Sequence, residues 1–233
     1  MSTAAYLALG DSYTIGEAVE PEDRWPEQLA ARLRAEGHAL DAPRIIATTG
    51  WTTDELATAL DALEAGSLTG SRATHEAVHE ASHDATDQSA PGRDHALVSL
   101  LIGVNNQYRG RGLQEYSAQF DALLLRAIGY AGGDATRVLV LAIPDWGRTP
   151  FGAVSGRDPG RVSAELDAFN AAAARSARAC GAAFVDIAPA TRALSPHPDM
   201  HADDGLHPSR ALYAAWVEVT LPAARAALTG QHA

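Results

Sequence analysis

Five short apolar runs, YLAL, RIIAT, ALVSLLI, RVLVLAI and AFVDI, recur along the chain with helical sequence between them. No other feature limits the fold as much. The runs show little polar alternation, as expected of parallel strands buried on both faces rather than antiparallel strands with one wet face. Between the first two runs, Trp25, Leu29 and Leu33 recur at four-residue spacing, and Gly37 follows as a helix-ending signal. TTDELATALDALEAG opens on a Thr-x-x-Glu capping-box pattern and predicts a helix that stops at Gly66. LQEYSAQFDALLLRAIGYAGG and RVSAELDAFNAAAARSARACG repeat the arrangement, and a last helix is predicted from Pro208, a residue favoured at a first helical position. Strands alternating with helices in this way predict βαβ units around a parallel sheet covered on both faces.

At 233 residues the chain is long enough for one α/β domain with a substantial core, and residues 1–233 are read as that one domain. Its net charge of −11 argues against a nucleic-acid partner, which would call for clustered Lys and Arg. The lone Cys180 allows no intramolecular disulfide and sits in an alanine-rich helical stretch without a local charge partner, so it reads as an inert packed thiol. No apolar run approaches the roughly 20 residues of a membrane span. The first apolar segment runs straight into a Gly-Asp-Ser turn, so it reads as a strand rather than a leader. A cytoplasmic location is expected.

That turn, in LALGDSYTIG, puts Ser12 at the carboxyl end of the first strand, the edge of an open parallel sheet where ligands bind. Ser12 could serve as a nucleophile, a phosphate contact or a turn residue. The phosphate-loop pattern fails: five residues separate Gly10 from Gly16, and Glu17 stands where the lysine belongs. Gly-x-Gly-x-x-Gly fails at Ser12 itself, and Gly-x-Ser-x-Gly fails at Thr14. A nucleophilic serine needs a base, a group that orients the base, and donors for the developing oxyanion. DDGLHPS offers Asp204 and His207 three residues apart, with Asp203 a competitor that the spacing disfavours. Asp11 reads as a hydrogen-bonding residue of the turn.

Four ordered blocks now stand together: GDSY with Ser12, TTGWTTDEL with Gly50, LLIGVNNQYRG with Gly103 and Asn105, and DGLHPS with Asp204 and His207. Over nearly its whole length the chain resembles the SGNH, or GDSL, serine hydrolases. The resemblance implies a flavodoxin-like three-layer α/β/α sandwich with a central five-stranded parallel sheet, and hydrolysis of esters or thioesters through an acyl-enzyme. It implies Ser12 as nucleophile, His207 as base and Asp204 as orienting acid. The backbone N–H groups of Ser12 and Gly50, with the Asn105 amide, become the oxyanion donors. Taken alone, each has a plainer reading: a turn serine, a loop glycine, a helix-capping asparagine, a packed histidine. No cofactor is called for, and the partner expected is a small ester or acyl substrate; an acyltransferase would use the same triad.

Two features lie outside this set. A polar insert at about residues 70–95 carries His75-Glu76-Ala-Val-His79, the zinc-protease pattern H-E-x-x-H, which offers a metallohydrolase as the rival reading. His83 continues the repeat, but no third ligand is evident and the tract lacks an apolar face. Topology puts the start of this insert at the opposite edge of the sheet from Ser12, about 17–20 Å away. The metal reading is therefore set aside, and no metal site is assigned. Tyr13, Trp51, Tyr108, Trp146 and Phe151 fall near strand-end loops and are expected to wall a substrate pocket, with AIPDWGRTPFG the loop that shapes it.

Overall fold

In a computed structural model describing residues 3–68 and 90–230, the five apolar runs become strands β1 (Tyr6–Gly10), β2 (Arg44–Ala47), β3 (Leu97–Leu101), β4 (Val138–Leu141) and β5 (Ala183–Val185). They form one parallel sheet in the order β2-β1-β3-β4-β5. Every residue of β1, β3 and β4 is buried, which is why those runs carry so little polar alternation.

Nine helices connect and cover the strands among the described residues: α1 (Ser12–Ile15), α2 (Trp25–Ala35), α3 (Thr53–Leu68), α4 (Val104–Tyr108), α5 (Leu113–Tyr130), α6 (Pro150–Val154), α7 (Pro159–Cys180), α8 (Ala188–Leu194) and α9 (Arg210–Thr229). On one face of the sheet α2 packs against α9, and on the other α5 packs between α3 and α7. The result is an α/β/α sandwich. Trp25, Leu29 and Leu33 are fully buried, as their spacing predicts. Burying side chains of this size stabilises a fold by about 1.5–3 kcal/mol each. Past Ala35, the His38 N–H returns to the Leu33 carbonyl (3.1 Å) and the Gly37 N–H to the Arg34 carbonyl (3.0 Å), closing the helix near the glycine that announced its end.

Two boundaries differ from expectation. Helix α3 continues through Gly66 to Leu68; an interior glycine costs a helix only about 1 kcal/mol, too little to end one by itself. At the last helix the N-cap is Ser209 and the first helical residue is Arg210, so Pro208 precedes the helix rather than opening it. The capping box on α3 is half formed. Glu55 accepts from the Thr52 N–H at 2.8 Å, while the Thr52 hydroxyl turns to the Asp54 and Glu55 carboxylates.

Strand order reverses between β1 and β3. In register, Gly10 ends β1 opposite Leu101 of β3, and α1 begins two residues later. A Cβ at Gly10 would stand 2.4 Å from the Leu101 carbonyl oxygen and 2.2 Å from Thr14 Oγ1. Only a residue without a side chain lets the chain turn this tightly against the neighbouring strand. His75, Glu76 and His79 lie outside the described residues. The chain next to that segment can be placed: the Ala90 carbonyl accepts from Arg44 Nη1 (3.2 Å) at the start of β2, the sheet edge opposite Ser12.

Gly10→Ala should destabilise the fold by about 3 kcal/mol, the upper end of overpacking costs, because the clash is with backbone. Urea unfolding at neutral pH measures this, and an unchanged midpoint would contradict the packing.

Candidate active site

The carboxyl edge of the sheet gathers the four loops that carry the motif residues, beside the loop after β4 that carries Trp146. The first carries Ser12, at the start of α1 and 5 % exposed. Asp11 caps that short helix by accepting the Tyr13 N–H at 3.1 Å, as its reading as a turn residue anticipates. Asp11 is buried, and burial pushes its carboxyl up to about 7 against the pull of the backbone N–H groups facing it.

The last loop carries His207 and Asp204. Asp204 Oδ2 lies 2.6 Å from His207 Nδ1, while its Oδ1 accepts the N–H groups of Leu206 (2.8 Å) and His207 (2.9 Å). Burial works to raise the Asp204 pKa, but the His207 bond and the two backbone bonds outweigh it and hold the carboxylate below its ordinary value. The loop is closed at its base by a bridge between His201 and Pro208 and tied to α6 through the Gly205 carbonyl and the Phe151 N–H (2.9 Å). Tyr13 packs its ring against the His207 imidazole (centroids 5.6 Å apart) and against Trp216 (5.9 Å), anchoring the histidine to the core.

The remaining two loops face each other. Asn105, one residue into α4, donates from Nδ2 to the Trp51 carbonyl at 2.9 Å, which leaves its second amide hydrogen uncommitted to that bond. Gly50 has φ +85°, a conformation that favours glycine. Neighbouring Asn106 grips the start of α3, accepting the Thr53 N–H (3.1 Å) and donating to the Thr53 hydroxyl (2.7 Å).

Ser12, Tyr13, Gly50, Asn105 and His207 share the lining of one cavity of about 210 Å³ with Tyr108, Trp146 and Phe151. Of the five aromatics expected there, Trp51 is the exception. Its half-buried indole packs at the edge of the core, and only its carbonyl takes part, as the acceptor for Asn105. Thr49, Val104 and Leu206 also line the cavity. Each adjoins a motif residue in sequence, the one signal that could have found them. Trp146 is set by its Nε1 bond to Gln107 (2.8 Å) and by edge-on contact with Tyr108 (5.3 Å). The preceding Asp145 is fully buried and accepts from Gly147 N (3.1 Å), Ser163 Oγ (2.6 Å) and Arg192 Nε (2.7 Å). Among the described residues, no three His, Cys, Asp or Glu side chains gather as a metal site, and no helix is long and apolar enough to cross a membrane.

A family model, the GDSL-like lipase/acylhydrolase family, matches residues 8–215. The chain belongs to this family. GDSL-like acylhydrolases cleave ester bonds by serine chemistry, and this chain is an ester-hydrolysing enzyme. Among solved structures, it is similar to TesA, with 19 % identity, 96 % of this chain and 99 % of that one covered, and a TM-score of 0.65. The psychrotrophic esterase EstA from Pseudoalteromonas sp., solved with monoethylphosphonate as inhibitor, gives 14 %, 97 %, 99 % and 0.65 in the same order. Axe2, an acetylxylan esterase from Geobacillus stearothermophilus, gives 18 %, 96 %, 94 % and 0.62. At these identities the likeness is one of fold. Among curated proteins, none matches the sequence.

The raised Asp11 pKa carries a stability consequence for this GDSL-like chain. The native state keeps a proton to about pH 7 that the unfolded chain releases near 3.9, so the contribution is full below pH 4 and is lost as pH rises to 7. Relative to Asp11→Asn, the wild type should lose stability steadily over that interval. Urea midpoints at several pH values check this, and parallel curves for the two proteins would contradict it.

Proposed function

We propose that the chain hydrolyses short-chain carboxylic esters through an acyl-enzyme on Ser12, with His207 as base and Asp204 as its orienting acid. One observation carries the reading: Ser12, Gly50, Asn105 and His207 line the same cavity while Asp204 holds His207 Nδ1 at 2.6 Å. Ser12 Oγ attacks the ester carbonyl carbon and His207 Nε2 takes the hydroxyl proton. Asp204 fixes the tautomer that leaves Nε2 free to accept and supports the imidazolium that forms. The carbonyl oxygen, now an oxyanion, accepts from the N–H groups of Ser12 and Gly50 and from Asn105 Nδ2. His207 then gives its proton to the departing alcohol, the ester C–O bond breaks, and the acyl group remains on Ser12. Water repeats the sequence: its oxygen bonds to the acyl carbon as His207 takes its proton, the acyl–serine bond breaks, and the proton passes to the Ser12 oxygen as the carboxylic acid leaves.

Cavity size supports the substrate class. At about 210 Å³ it falls below the roughly 300–1,000 Å³ of pockets that bury drug-sized ligands. Trp146, held by Gln107 and backed by Phe151 at 6.1 Å, bounds the space in which an acyl chain would lengthen.

With p-nitrophenyl esters of increasing chain length, kcat/KM should be highest for acetyl to butyryl and fall for octanoyl and beyond. Ser12→Ala should remove turnover altogether. Asn105→Ala should lower kcat by about 10²–10³ with little change in KM, the usual cost of losing one oxyanion donor. Turnover that survives Ser12→Ala, or a preference for long chains, would contradict the reading.

A further inference from the structure

Gly50 and Trp51 lie in the β2–α3 loop, yet their carbonyls are both held from the opposite side of the crevice. Asn105 Nδ2 reaches Trp51 O at 2.9 Å, and Arg109 Nη2 reaches Gly50 O at 2.6 Å. Arg109 follows Asn105 by one helical turn, and its own N–H donates to the Asn105 carbonyl at 3.0 Å. Helix α4 and the residue that caps its end therefore clamp two successive peptide groups of the facing loop. A third bond closes the frame. Arg109 Nη1 pairs with the Glu55 carboxylate at 3.1 Å, and Glu55 Oε2 accepts the Thr52 N–H at 2.8 Å.

A glycine in the left-handed region has the freest backbone in any loop. The Gly50 carbonyl belongs to the Gly50–Trp51 peptide, held at its other end by the Trp51 N–H bond to the Thr48 carbonyl (3.2 Å), and the Gly50 N–H belongs to the preceding peptide. With the carbonyl released, rotation at Gly50 can carry that N–H away from the place where charge develops. Oxyanion donors contribute because they are already aimed before the reaction begins. We infer that Arg109 is a positioning residue that holds the Gly50–Trp51 peptide, restrains the rotation at Gly50 that aims its N–H, and ties this turn to Asn105, so that the proposed oxyanion donors form one rigid unit. The inference rests on the Ser12 reading above. Arginine suits the task, since its planar fork can hold a carbonyl and a carboxylate at once and a lysine ammonium cannot match that geometry.

The position of Arg109 separates this role from a structural one. Its side chain is 42 % exposed, and exposed ion pairs add little to global stability. Removing it should therefore act on turnover and leave the fold intact. Arg109→Ala should lower kcat by about 10–50-fold, short of the 10²–10³ for deleting a donor outright, with KM within about twofold. The melting temperature should stay within about 3 °C of wild type. Arg109→Lys should recover only part of the loss. Millimolar guanidinium should restore part of the Arg109→Ala rate and leave Asn105→Ala unaffected.

The measurements are steady-state kinetics on p-nitrophenyl acetate with thermal melts, run beside Ser12→Ala. If Ser12→Ala is inactive and Arg109→Ala keeps a wild-type kcat, the positioning role is overturned and the serine mechanism stands. A fall in kcat that follows a fall in melting temperature, without guanidinium rescue, overturns it as well. Activity that survives in Ser12→Ala instead overturns the mechanism on which it rests.

Discussion

A parallel strand buried on both faces must release its chain at one edge of the sheet, and this molecule's chemistry depends on where that release reverses direction. Strand β1 hands its chain towards β2, whereas β3 hands its chain towards β4, so the exits diverge and leave a crevice. Ser12 leaves from the first exit and Asn105 from the second. The close approach of Gly10 to the Leu101 carbonyl sets how near the two exits lie, and α1 starts without slack beyond it.

Around the crevice, bonds between loops add to the bonds within them. The β2–α3 loop is held by Asn105 of α4 and by Arg109 at its end, and the His207 loop is held from α6 through Gly205. The wall built on Trp146 is held from beneath by the buried Asp145 and its partner Arg192, which in turn reaches Asp167 at 2.6 Å. Removing Arg192 leaves the fully buried Asp145 carboxylate without its closest cation, which is far more damaging than losing an exposed pair. The same geometry therefore has supports of two kinds: those that hold the fold together and those that only aim groups.

The elements that were legible in the sequence are those whose cause is local. Buried strands announce themselves by apolar runs, and Asp204 with His207 by a three-residue spacing that one turn can satisfy. Gly37 reads correctly because the chain must turn there, while Gly66 misleads because a helix tolerates an interior glycine. Trp51 misleads for another reason: sequence places its residue at the strand edge but says nothing about which way the indole leaves the backbone. Arg109 and Gly50 are 59 positions apart in sequence and 2.6 Å apart at their bonded atoms. No local pattern contains that information. Only the topology that sets β1 between β2 and β3 brings the two loops face to face.

The central claim, that Ser12 is the group acylated, is tested most directly by mapping the site of attack of a fluorophosphonate on the native enzyme by peptide mass spectrometry. The account predicts one adduct per chain, on Ser12, with ester turnover lost in proportion to labelling. An adduct on another serine, or full labelling of Ser12 with turnover intact, would contradict it.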